Sequence, residues 1–170
     1  MTTEVQIIVR WAVILLSALV LQVAVVTDIR IAGVHPELLL LVGICAGLVG
    51  GPSRGAEVGF VAGVLTDLLL PGVLGISALS FALVGFAVGA TEESVIRSSK
   101  TISVGITVAA SAVGTLVYAG LGELLGQRTL SDPHLWAIVG IVSVVNGLLC
   151  VPGLAVCRWA EGEPLRARSY

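Results

Sequence analysis

The stretch RGAEVGFVAGVLTDLLLPG, residues 54–72, decides the fold. Glycine recurs every four residues at Gly55, Gly59 and Gly63, and one more step of four lands on Asp67. Nearly everything between is apolar. Glycine weakens a water-exposed helix by about 1 kcal/mol per residue, and a lone carboxylate is costly in an apolar one. In lipid the glycines change meaning. Four residues carry a helix about 40° past a full turn, so the three form one slanted ridge. Such a ridge lets helices approach backbone to backbone where lipid removes the hydrophobic drive between them.

Composition calls for a lipid setting. Of 170 residues, 56% are hydrophobic and 12% charged, with a mean hydropathy of +1.06. A soluble domain carries about a quarter charged residues, so this chain cannot cover a water-facing surface. It reads as an all-α integral membrane protein forming one transmembrane domain over residues 1–170. The net charge of −2 and the lack of a Lys/Arg cluster exclude nucleic acid as a partner. Cys45, Cys150 and Cys157 lie in apolar runs without metal-ligand spacing and read as small packing residues.

Six apolar runs are expected to span the membrane, at about 7–26, 36–50, 55–70, 73–90, 102–125 and 135–159. A bilayer core of about 30 Å needs about 20 helical residues. The second and third runs are shorter and need thinned lipid or burial among neighbours; a re-entrant second run would leave five spans. With six spans, Arg10, Arg54, Arg97, Lys100, Arg158, Arg166 and Arg168 share one side, and Arg30 and Arg128 the other. That asymmetry places both termini in the cytoplasm. The first run has no small-x-small site after Val26 and reads as an uncleaved span.

The third and fourth runs meet at Pro71-Gly72, and VGFVAG at 58–63 is echoed by VGFAVG at 84–89. Folding the chain at that bend pairs Gly59 with Gly85 and Gly55 with Gly89, a close packing of the two spans. The same fold sets Asp67 level with Gly75. There it can satisfy the unpaired N–H groups and positive end of the next helix, or serve as a docking or relay carboxylate. Glu57 with Arg54, and Glu123 with Arg128, read as interfacial charges. Asn146 is expected to hydrogen-bond another helix, and Pro152 to bend the last span.

Enzyme signatures are missing. His35 and His134 fall in outer loops without helical ligand spacing beside Glu37, Asp132 or Asp28. There is no nucleophile elbow, phosphate loop or Cys/His pair. No catalytic residue, cofactor or metal is expected.

The segment HPELLLLVGICAGLVGGPSRGAEVGFVAGVLTDLLLPGVLGISALSFALVGFAVG, residues 35–89, resembles the bacterial rod shape-determining MreD family. The resemblance is carried by Pro36 with its leucine run, the series Gly59, Gly63, Asp67, then Gly75, Leu79 and Val84-Gly85-Phe86, within residues 8 to 90. Glu37 stands where aspartate is common in the family. The resemblance implies a multi-pass protein of the bacterial cytoplasmic membrane in the cell-elongation machinery. It also implies partnership with MreC, with RodA and a class B penicillin-binding protein, and with the MreB cytoskeleton. It implies a fold similar to the substrate-binding subunits of energy-coupling-factor transporters. The expected role is a non-enzymatic scaffold for lateral peptidoglycan synthesis. The alternative is a vitamin-binding subunit of such a transporter; sparse aromatics and few outer polar groups (Gln22, Asp67, Ser77, Tyr118, Glu123) argue against it.

Overall fold

The computed structural model describes residues 3–28, 37–69, 73–91, 100–127, 129–130 and 133–162. They form α1 (Thr3–Asp28), α2 (Leu38–Leu69), α3 (Ile76–Ala90), α4 (Lys100–Leu124) and α5 (Leu135–Glu161), with no strand among the described residues. Arg30, Arg97, Arg128, Arg166 and Arg168, used to orient the chain, lie outside them, as do His35, Pro36, Asp132 and Pro71-Gly72. Among the described residues, α1, α2, α4 and α5 are long and apolar enough to cross a membrane; α3, with 15 residues, is shorter.

α2 is not one rod. Gly51 has φ 78° and ψ −173° inside it. The positive φ suits glycine. The extended ψ suits a residue before proline, and Pro52 then opens the second half as a first-turn proline. The chain folds back on itself at this residue. A Cβ placed on Gly43 would lie 3.0 Å from the Cα of Gly59, positions about 24 Å apart along a continuous helix. Sequence reading puts a loop at 51–54 between the second and third runs; the turn is one residue, and helix resumes at once.

The first half, 38–50, rises only about 20 Å. Its shortness is accommodated by burial: Leu39, Leu40, Ile44, Cys45 and Ala46 have no exposed surface. α2 packs against every other helix, so this half is the axis of the bundle. Cys150 and Cys157 from α5 join Cys45 in the same core, all three as free thiols. The Thr107 hydroxyl oxygen on α4 lies 3.1 Å from the Cys150 Sγ.

α3 begins at Ile76, three residues later than the sequence-predicted start at Val73. Gly75, at φ 101°, is in the left-handed region and cannot continue a right-handed helix upstream. Pro152 lies inside α5, which stays helical to Glu161. Gly162, at φ 78°, ends it with its N–H on the carbonyls of Arg158 and Trp159, a glycine C-terminal motif.

Candidate functional site

The glycine ladder is longer than residues 54–72 suggest. Gly43, Gly47 and Gly51 precede Gly55, Gly59 and Gly63 at the same four-residue spacing, so six glycines share one ridge. The turn at Gly51 folds that ridge onto itself. A Cβ on Gly55 would sit 2.7 Å from the Cα of Gly47, and one on Gly43 meets Gly59. α3 closes the seam. A Cβ on Gly47 or on Gly55 would strike the Gly85 carbonyl, and one on Gly85 would strike the Gly55 carbonyl. Gly59 lies against the Phe81 carbonyl and Gly63 against Ala78. A Cβ on Gly89 would sit 2.5 Å from the Pro52 nitrogen. Three helical segments therefore touch through backbone.

The register differs from the sequence-based one by a helical turn. Gly55, not Gly59, faces Gly85, and Gly89 faces the Gly51 turn rather than Gly55. The cause is the late start of α3. Residues 73–75 precede the helix without joining it, so each α3 residue sits about one turn farther from the bend than a two-residue turn gives.

Asp67 produces that late start. Its Oδ2 accepts from the Gly75 N–H at 2.8 Å and the Ala78 N–H at 3.3 Å, and its Oδ1 from the Ser77 N–H at 3.2 Å. The carboxylate thus occupies the positive end of α3 and satisfies donors the helix cannot. Gln22 treats α2 in the same way: its Oε1 accepts from the Leu39 N–H at 3.1 Å. Glu123 accepts from the Leu130 N–H at 3.0 Å. These three side chains stabilise helix starts or loop turns, each from a different segment.

Asn146 on α5 is fully buried. Its Nδ2 donates to the Ser111 Oγ on α4 at 3.0 Å and to the Glu37 carbonyl at 3.5 Å. It thereby joins α5, α4 and the start of α2. Buried hydroxyls of Thr66, Ser80, Thr107 and Thr115 donate to the carbonyl four residues back, which satisfies them within apolar surroundings. Asn146→Leu removes a side chain that bridges three segments. We expect a stability loss of about 1 kcal/mol, the range of interhelical hydrogen bonds in lipid. Thermal unfolding in detergent checks this; an unchanged midpoint contradicts the bridging role.

At the opposite end, the start of α1, the Gly51 turn and the end of α5 are tied by charge. Arg54 pairs with Glu57 at 3.1 Å and with Glu161 at 2.8 Å. Trp11 Nε1 donates to Glu161 at 3.0 Å. Arg10 lies 5.2 Å from the centre of the Trp159 ring and donates to the Trp159 carbonyl at 3.1 Å. Sequence reading pairs Arg54 with Glu57 and misses Glu161, which follows the last apolar run and has no local partner to betray it.

Among the described residues, no group of three or more His, Cys, Asp or Glu side chains is arranged to hold a metal. Residues 3–145 match the family described as rod shape-determining protein MreD. No match was found among curated proteins or solved structures.

Proposed function

We propose, on the premise that this chain belongs to the MreD family and so acts in rod shape determination, that it is a non-enzymatic scaffold subunit of the cell-elongation complex. In this reading it supports lateral peptidoglycan synthesis by helix–helix docking in the bacterial cytoplasmic membrane. Its partners are MreC, RodA and a class B penicillin-binding protein, with MreB in contact from the cytoplasm. The family match over residues 3–145 is the observation that carries the reading.

The geometry suits such a role. Glycines face inward along α2 and α3, so large apolar side chains are left outside. Phe60, Leu79, Leu83 and Phe86 are each about half exposed. Leu79, Leu83 and Phe86 fall on one stripe of α3 at i, i+4 and i+7. A rigid seam behind an apolar face is what helix docking in lipid requires. In the same reading the two halves of α2 each cross the membrane. That gives six crossings, with both termini in the cytoplasm and the Arg54, Glu161 and Arg10 cluster at the cytoplasmic surface.

Affinity purification of the tagged chain from its native membranes, with mass spectrometry of what accompanies it, tests the role. Recovery of MreC with RodA or a penicillin-binding protein is the expected result. Recovery of a paired ATPase and a membrane coupling subunit would replace the scaffold with the transporter reading.

A further inference from the structure

An open groove of about 430 Å³ runs between α1, the first half of α2 and α5. It extends from Leu21 and Leu149 at one end to Val13 and Trp159 at the other. Pro152 and Gly153 form part of its wall. Gly153 packs so closely on α2 that a Cβ there would lie 3.1 Å from the Cys45 Sγ. The lining is almost wholly apolar.

Length and volume identify the kind of occupant. From Leu149 to Trp159 a helix rises about 15 Å, half of a hydrocarbon core of about 30 Å. The groove therefore has the depth of one leaflet. A helix about 10 Å across fills roughly 120 Å³ per residue, so the groove holds about one helical turn. A spanning helix would overrun it; a single acyl chain matches its depth.

The Trp159 end supplies the complementary charge. The Arg10 guanidinium sits over the Trp159 ring, one of the residues lining the groove. Arg10 forms no salt bridge with an acidic side chain among the described residues. Tryptophan and arginine together mark the headgroup level, and guanidinium forks suit phosphate oxygens. We propose that this groove is a binding site for one anionic phospholipid, one of its acyl chains lying along Pro152 and Gly153 and its phosphate held by Arg10. The proposal goes beyond the scaffold role and requires only that the chain sits in a bilayer.

The test uses the full chain, purified and delipidated in detergent, with thermal unfolding followed as phosphatidylglycerol or phosphatidylcholine is added at equal mole fraction. A saturable rise of the midpoint with phosphatidylglycerol, at lower lipid than with phosphatidylcholine, is the expected result. Arg10→Gln is expected to weaken that response roughly fivefold. Val156→Trp, at a position 45% exposed on the groove wall, is expected to block it while leaving the lipid-free midpoint near that of the parent chain. Equal responses to the two lipids would overturn the proposal. So would an undiminished phosphatidylglycerol preference in the Arg10→Gln variant, which decides the matter if the tryptophan variant does not fold.

Discussion

Gly55→Leu is expected to abolish the folded protein. Inserting atoms into a packed core costs about 1–3 kcal/mol when neighbouring side chains can shift. At Gly55 the neighbours are backbone: the Gly85 carbonyl, and the Gly47 Cα at 2.7 Å from an added Cβ. Backbone cannot rotate out of the way, so both halves of α2 and α3 must separate. The loss should exceed about 4 kcal/mol, a magnitude reserved for severe core damage. Even Gly55→Ala should be strongly destabilising, because the Cβ alone makes the collision. Gly105→Leu and Gly140→Leu are the controls, since an added Cβ at either site meets nothing within 4 Å. Size-exclusion profiles and thermal midpoints in detergent read the outcome. A monodisperse Gly55→Leu protein with the parent midpoint would contradict the backbone seam.

Asp67→Leu is expected to cost about 3 kcal/mol. It strips the acceptors from three N–H groups at the start of α3. Each donor left unsatisfied in an apolar setting costs about 1–3 kcal/mol, and partial access to water from the Gly75 side softens the sum. Asp67→Asn keeps one oxygen, which at the Oδ2 position still accepts from Gly75 and Ala78. Its loss should be about 1 kcal/mol, close to that of a weakened helix cap. The pair of variants separates the two roles open to this carboxylate. If it is a capping group, Asp67→Asn keeps near-parent stability and near-parent recovery of partners. If it is a docking or relay carboxylate, Asp67→Asn is stable but no longer recovers them.

The helical membrane class was legible because it follows from totals: too few charges to face water and too many apolar residues to leave exposed. The glycine spacing was equally legible, but its centre was not. Counting from Gly55 hid Gly43 and Gly47, and with them the symmetry about Gly51 that folds the ridge on itself. Continuing the four-residue count upstream would have found it. The register error at Gly59 and Gly85 has a different origin. It required knowing that Gly75 takes a left-handed φ and that α3 starts only at Ile76; the contact of Asp67 with the start of that helix was foreseen, but the three residues before it were counted as helix. Glu161 was missed for another reason: it meets Trp11 and Arg54 only after the bundle closes. The groove at Pro152 is also a product of closure, since its walls come from three helices far apart in the chain.

In the proposed topology α2 turns back at Gly51, so that its two ends lie on one face of the membrane and its middle on the other. Single-cysteine variants Ser53→Cys and Leu74→Cys, in a chain whose three native cysteines are replaced by alanine, test this most directly. Both sites are exposed. A membrane-impermeant maleimide should label the Leu74→Cys variant in intact cells and the Ser53→Cys variant only in inverted vesicles. Labelling of both variants from the same side would contradict the fold-back, and with it the six crossings and the glycine seam built on it.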